Sequence, residues 1–511
     1  MAIQMAMGFV FRFLVSLVEA APFVLAGLIT AAVLRRFFGV EGTRRLFGEG
    51  TRWGLLRAWL IGMLLPVCSL GVIPVISELR RAGVRGGTIL AFAMSGPLFN
   101  PLSLLYGLTL SEPVAIISFA FCSLIIVTVA GMAWDWWFPG SSLEAAAEEQ
   151  YGIGSRRMLA VGAAAAREAG GRTLLWVSIG LAGVGLAGAF LPPNSLQHTF
   201  NHNNPWAPLW MTGLAIPVYA TPMLAMTQLG MMFQHANSIG AAFVLLILGA
   251  GMNLGVLGWT MAEYGWKRGL GWLVLVTGIS LGLAIVVDKP LFPRDIEPAD
   301  HTHAFDIYCR PFASEHDVMS AFALRLERDI ASWQWRPLQL LGLLVGAGVV
   351  LNLADRRGRL EAWLQQAKME AGPGRFDVVI PGPILGLLSL CGLLILSVVG
   401  CYAWYPAPRD CLEAMTDPRI SALSAALALD HAETKYWSER YDDWTRKMEV
   451  GAWLRHGTLS DYHRWKSRLV REHLELLEHE VEDGDRQRVQ KLVTKISTLH
   501  RRMGEAYREE L

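Results

Sequence analysis

The chain has 511 residues, of which 53% are hydrophobic and only 17% charged, and its formal net charge is +1. Several apolar runs approach the roughly 20 residues needed to cross a bilayer, which excludes a water-soluble globular body. With no basic domain and no recognition motif, nothing supports a nucleic-acid partner.

Met1 to Val18 carries one basic residue, Arg12, in mid-stretch and no small-x-small site. It does not read as a cleavable leader. It reads as an interfacial helix, or as an extension of a first span from Glu19 to Phe38. A broken segment covers Trp53 to Ser77. Straight spans follow at Gly87 to Leu108 and Pro113 to Trp134, then a polar loop from Asp135 to Gly171. The plan then repeats: Arg172 to Leu191, a broken segment from Trp206 to Gln228, and spans at Ile239 to Thr260 and Gly269 to Val287. A polar stretch, two more spans (Pro337 to Ala354, Pro381 to Trp404) and a helical tail complete the chain. The expected divisions are repeat 1 (1–138), a cytoplasmic linker (139–171), repeat 2 (172–288), a His- and Cys-bearing loop with an amphipathic helix (289–336), two additional spans (337–404) and a soluble helical bundle (405–511). The fold class is an all-α polytopic membrane protein.

The two broken segments carry the main signal. The first half has Pro66, Gly71 and Pro74, then Gly96, Pro97 and Pro101; the second has Pro217 and Pro222, then Gly249 and Gly251. Proline and glycine free backbone groups that lipid cannot satisfy, so such breaks persist only where protein or a cavity receives them. Paired broken segments in two halves point to a transporter's site. Gly27 and Gly180, Gly87 and Gly240, Gly96 and Gly249, and Asn100 and Asn253 are each 153 residues apart. At the break itself two registers compete. One pairs Cys68 with Thr221, the other Pro66 with Pro217 and Cys68 with Tyr219.

Basic residues orient the loops. Arg35, Arg36, Arg44, Arg45, Arg52 and Arg57 precede the first broken segment, and Arg80, Arg81 and Arg85 follow it. Both ends then lie in the cytoplasm, and the segment is a re-entrant hairpin; the alternative is a plain span. Arg156, Arg157, Arg167 and Arg172 start the second half from the cytoplasm. Asn194 to Asn204 has no Lys or Arg, and Lys267 and Arg268 return inside. This makes the halves an inverted repeat with two facing hairpins. It also puts Asp288 to Arg336 and the C-terminal tail outside the cell.

The runs P-V-C-S-L-G-V-I-P (66–74), L-R-R-A-G-V-R-G-G (79–87) and A-F-A-M-S-G-P-L-F-N-P (91–101) resemble the predicted-permease family that includes trivalent organoarsenical exporters and copper or zinc efflux permeases. The resemblance covers about Glu19 to Asp288. It implies a two-half permease of the inner membrane that exports a soft metal, metalloid or organic derivative. Many members read C-S-C-G; here Leu70 stands at the second cysteine, so the hairpins hold no thiolate pair.

The expected substrate-binding residues are Cys68, Ser69, Asn100, Tyr219, Thr221, Gln228 and Asn253. Cys68 suits a soft ion or trivalent arsenic, and the hydroxyls and amides suit a polar organic solute. Each also has a plainer reading: Cys68 as a small buried hydrophobe, the asparagines as partners for broken backbone. Cys122 and Cys391 read as packing residues. Glu19 is the clearest carboxylate near a span, read here as an interfacial helix-starting residue and, alternatively, as a proton carrier. No Walker A run occurs, so a proton or ion gradient is the expected energy source.

His301, His303, Cys309 and His316 form a candidate zinc or copper set in the outer loop, or a solvated acidic loop with incidental histidines. Val318, Phe322, Leu326, Ile330 and Trp333 recur at helical spacing. Cys309, Cys401 and Cys411 share one expected compartment and could pair. In the tail, Thr458 to Asp483 and Asp485 to Glu510 read as an antiparallel pair with Leu469, Leu476, Val489, Leu492, Ile496, Leu499 and Met503 in the seam. Such a bundle suits docking or homo-oligomerisation.

Together these features point to a multi-pass plasma-membrane permease, a secondary transporter exporting a small solute, with no resident cofactor beyond a transported or loop-bound metal ion. A channel or membrane receptor with the tail as output is the alternative. An enzyme using Cys68 is disfavoured, because no membrane-embedded histidine stands by to activate the thiol.

Overall fold

The computed structural model describes residues 1–48, 53–111, 113–140, 146, 155–293, 302–313, 317–366 and 382–509. Among them every regular element is helical, with one isolated bridge, Asn201 to Asn237. The chain divides into two compact units, residues 1–104 with 111–394, and residues 105–110 with 395–511.

The first unit opens with α1 (Ala2–Val33), a π-helical turn (Leu34–Phe38) and α2 (Gly39–Leu46). Then come α3 (Gly54–Leu64), α4 (Val72–Arg81), α5 (Gly86–Ser95), α6 (Pro101–Leu110) and α7 (Pro113–Trp137). After α8 (Ser155–Ala169), the order recurs as α9 (Arg172–Phe190), α10 (Ala207–Ala215), α11 (Pro222–Gln234), α12 (Ile239–Val244) running into a π turn to Ala250, α13 (Leu254–Tyr264) and α14 (Trp266–Asp288). It continues through α15 (Val318–Asp329), α16 (Trp335–Ala354) and α17 (Arg359–Gln366), while α18 (Gly382–Trp404), like α6, is divided between the two units. Among the described residues five helices are long and apolar enough to cross a membrane, and the bent pair α12–α13 would make a sixth. Their outer faces stay apolar, as at Ile285 and Leu343, both 71% exposed; hydrocarbon is the solvent such faces need.

Residues 153 apart repeat the same backbone bonds. Val72 N–H donates to Cys68 O and Ala225 N–H to Thr221 O, both at 2.9 Å. Val84 donates to Leu79 O (3.1 Å) and Asn237 to Met232 O (2.9 Å). The Asp135 carboxylate accepts from Gly87 N–H at 2.8 Å, and Asp288 accepts from Gly240 N–H at 2.7 Å. These bonds favour the register pairing Cys68 with Thr221.

Close approaches fix directions. Gly54 lies by Thr88 and Gly62 by Ser95, so α3 and α5 run the same way and α4 brings the chain back between them. Pro208 with Gly240, and Ala215 with Gly249, do the same for α10 and α12. Helices α3 and α4 have 11 and 10 residues, about 15 Å each and half a hydrocarbon core. Gly8 packs on Gly188, and Ala32 packs on Ala164 and Ala165 just before α9. Helices α1 and α9 therefore run antiparallel.

Four expectations need correction. Glu19 does not start a helix: α1 begins at Ala2, so residues 2–18 extend the first span rather than form a separate interfacial helix, because no turn residue or polar run interrupts Ala2 to Ala21. The spans expected to be straight at 87–108 and 239–260 are both interrupted, the first at Gly96, Pro97 and Pro101, where proline lacks an N–H, and the second with a 57° bend after a π turn containing Gly249 and before the Asn253 cap. The polar loop 135–171 contains α8, whose Ala166 carbonyl lies against Gly348 of α16. All six cysteines are free.

The second unit holds α19 (Pro408–Ala414), α20 (Thr416–Leu427), α21 (His431–His456), α22 (Asp461–Glu482) and α23 (Arg486–Glu509). Asp430 caps α21 by accepting from Glu433 N–H, and Gly457 ends it at φ 72°. Its core joins Tyr441, Met448, Val470, Leu474, Leu477, Val489, Ile496 and Met503. Leu476, expected in the seam, is 48% exposed. The buried stripe of α22 passes through Val470, Leu474, Leu477 and Val481, one position beyond the expected one.

His500 Nδ1 lies 2.8 Å from the Tyr441 hydroxyl. Burial, then Arg419 and Arg508, hold its pKa down from 6.5 to about 4. The ring is neutral when folded and takes a proton when unfolded below about pH 6.5. Its contribution is therefore full above that pH and is lost as pH falls toward 4, by roughly 2 kcal/mol after discounting for partial exposure. Hydrogen exchange of α21 and α23 peptides, corrected for intrinsic rate, should show this acid loss in wild type and its absence in His500→Gln.

Candidate solute-binding site

The first break, Leu65 to Gly71, begins at Pro66, which has no N–H to continue α3. Cys68 Sγ then accepts from Gly71 N–H at 3.3 Å and prepares the start of α4, within which Pro74 sits. In the second half Pro217 lies in the unwound turn, and Thr221 Oγ1 caps α11 by accepting from Leu224 N–H at 3.1 Å. Pro222 is the first residue of α11, where its fixed φ suits a helix start. Cys68 and Thr221 thus do the same local work.

The other two breaks are capped by asparagines. Gly96 and Pro97 end α5, Pro101 begins α6, and Asn100 Oδ1 accepts from Ser103 N–H at 2.8 Å. Gly249 lies in the π turn, and the Gly251 Cβ position is 2.9 Å from Leu98 Cδ2. Asn253 Oδ1 accepts from Gly255 N–H at 2.7 Å and Val256 N–H at 3.0 Å. Its amide Nδ2 donates to Ser69 Oγ at 2.8 Å, joining the halves. Tyr219 lies beside the Cys68 thiol, and among the described residues its buried hydroxyl has no partner other than that thiol.

Cys68, Ser69, Tyr219 and Asn253 therefore meet at the junction of the halves. All four are buried. Asn100 and Thr221 cap their own helices. Gln228 is turned elsewhere: its Nε2 donates to Ala304 O at 3.0 Å, and its Oε1 accepts from the Tyr308 hydroxyl at 3.2 Å. The arrangement brings together a single thiol, a phenol beside it and an amide–hydroxyl bridge between the halves.

Gln228 anchors a loop laid over the second half. Thr302 N–H donates to Gln197 O (3.1 Å) and Arg310 N–H to Leu191 O (3.0 Å). The Arg12 guanidinium donates to Asp306 O at 3.2 Å and Cys309 O at 3.1 Å. His303 Nδ1 is 2.8 Å from Asp306 Oδ2. Burial pushes the Cys309 thiol up, against thiolate formation. His301 and His316 lie outside the described residues. Among the described residues no three His, Cys, Asp or Glu side chains gather to hold a metal ion.

Two charged groups take places that composition did not disclose. Arg80, read only as a topology marker, pairs with Glu263 Oε2 at 2.9 Å and reaches the Glu263 carbonyl at 2.6 Å. Trp259 Nε1 donates to Ser77 Oγ beside it at 2.9 Å, so α4 and α13 are latched together. The Arg-Arg doublet after an apolar run was the only available signal.

Interrupted helices from two repeating halves, meeting at a buried polar junction inside a multi-pass helical protein, define a membrane permease. The chain belongs to the predicted-permease family ArsP_1, whose profile matches residues 6–288. It is similar to "UPF0718 protein YcgR" of Bacillus subtilis, 33% identical over 92 residues, which are 18% of this chain and 31% of that protein. It is also similar to the "Putative two-component membrane permease complex subunit" of Streptococcus mutans, 24% identical over 92 residues with the same coverage. The chain thus aligns with about a third of the length of these relatives. No solved structure matches it.

Proposed function

We propose that the chain is a secondary transporter that exports a small solute through the junction of Cys68, Ser69, Tyr219 and Asn253. The observation that carries this reading is the Asn253–Ser69 bond at 2.8 Å, which brings interrupted backbone from both halves to one point. Alternating-access carriers place their sites between such repeats. The antiparallel run of α1 and α9 supports an inverted repeat. The return of α4 to the level at which α3 began supports re-entrant hairpins. The site is lined for a solute with one thiol-reactive atom and polar edges, and a trivalent organoarsenical such as methylarsenite has that chemistry. The loop at residues 302–313 covers the outer side, the membrane is the plasma membrane, and the tail is extracytoplasmic with a surface suited to self-association.

The test is tolerance of cells carrying wild type, Cys68→Ala or Asn100→Ala toward methylarsenite, copper, zinc and antibiotics. Wild type is expected to protect against methylarsenite, and Cys68→Ala to lose that protection at equal expression. Protection by wild type against none of these compounds removes the metal and metalloid reading. Equal protection by the variants moves the site away from the hairpins.

A further inference from the structure

Glu19 is a carboxylate inside a membrane-spanning helix, and an ionisable residue there is costly unless it is used or paired. It lies one helical turn before Phe23, whose carbonyl sits against Gly71 at the first break. The same face two turns earlier carries Arg12. That guanidinium spends its donors on the Asp306 and Cys309 carbonyls of the outer loop. Those bonds leave the Arg12 charge in place, and it reaches Glu19; among the described residues no hydrogen bond or ion pair to the Glu19 carboxylate is found, and the side chain is half-buried.

Its surroundings are those of a relay. Tyr219, whose hydroxyl has no partner but the Cys68 thiol among the described residues, is within electrostatic reach of Glu19. From the loop come Tyr308, bonded to Gln228, and Cys309 beside Arg12. From α15 come Asp329, which reaches Glu19 and Arg12, and Arg325, which reaches Arg12. Along α1, Glu19 thus lies between Arg12, which holds the loop, and Phe23, which packs on the first break.

We propose that Glu19 carries the coupling proton of this transporter. A proton from the aqueous side adds to a carboxylate oxygen to give a neutral carboxyl, and the same proton leaves after the site has changed sides; no electrons move. Glu19 shares the face of α1 with Phe23, one turn on, whose carbonyl packs on Gly71 three residues after Cys68, so a change at the first break on solute binding reaches the helix that carries Glu19. This inference rests on the carrier reading above.

The experiment uses the full chain in inverted membrane vesicles, with two arms. Dicyclohexylcarbodiimide modifies protonated carboxyls in apolar surroundings. Mass spectrometry should find it on Glu19 at neutral pH, decreasing as pH rises, and Glu19→Gln should remove that adduct. In the second arm, Glu19→Gln should lose accumulation of methylarsenite driven by a pH gradient while keeping its exchange down a concentration gradient, and Glu19→Asp should recover part of the accumulation. Retained exchange shows that the variant is folded. No adduct at any pH, or wild-type accumulation in Glu19→Gln, overturns the proposal. Wild-type vesicles that move no methylarsenite at all reject the carrier reading for that solute, and the adduct then decides Glu19 by itself.

Discussion

Gly27→Ala and Gly183→Ala should each unfold the permease core in detergent, with a large drop in thermal midpoint and in monodisperse yield. A Cβ on Gly27 would stand 1.8 Å from Gly71 O and 2.7 Å from its carbonyl carbon. On Gly183 it would stand 1.8 Å from Pro217 O. Neither obstacle is a side-chain tip that can swing aside. Both are backbone of a break, held by the half-helices on either side. Relief requires moving a whole helix, so the cost belongs at or above the upper end of the usual 1–3 kcal/mol for overpacking, roughly 3 kcal/mol or more. Tight contact through small residues is also how helices associate where lipid offers no hydrophobic drive. Gly278→Ala and Gly282→Ala on α14 are the controls, since nothing lies within 4 Å of either Cβ position. If Gly27→Ala melts with the controls, the packing of α1 on the first break is wrong.

Asn253→Ala should be the most damaging single change at the junction itself. It leaves Gly255 N–H and Val256 N–H without their cap and takes the donor from Ser69 Oγ, all at full burial. A lost cap costs about 1 kcal/mol, and each stranded buried group about 1–3 kcal/mol, so roughly 3 kcal/mol of stability should go, together with transport. Asn253→Ser separates the two roles. Serine caps well but is too short to reach Ser69, so stability should largely return while transport stays low. A cycle with Ser69→Ala should give a coupling of about 0.5–1.5 kcal/mol for the bridge. Additivity of the two changes would mean that the bridge carries no energy.

Pro66, Pro217 and Asn253 were recognisable because their chemistry acts locally: a missing N–H or a capping amide announces a break wherever it occurs. The tail helices were legible for the same reason, since Gly457 and Gly484 bound the expected stretch Thr458 to Asp483, whereas the Asp430 cap of α21 emerged only in the structure. Leu476 was misplaced because its partner face depends on how α22 is rotated, which period alone leaves one residue uncertain. Glu19 was misjudged because hydropathy shows no change between Met1 and Ala21, so nothing local marks where the helix starts. Gln228 looked like a site residue by position. Its side chain in fact follows Ala304 and Tyr308, some eighty residues later in the chain.

What the amino-acid order alone determined is therefore the set of breaks, the 153-residue repetition and the membrane class, since each follows from backbone donors lost to proline, the freedom of glycine and the length of apolar runs. Which broken ends meet was a tertiary decision. The partnership of Asn253 with Ser69, the nearness of Tyr219 to Cys68 and the latch of Arg80 on Glu263 join residues about 150 to 184 positions apart. No local rule sets such pairs. They arise because polar groups freed at the breaks of the two halves find their partners across the junction between them.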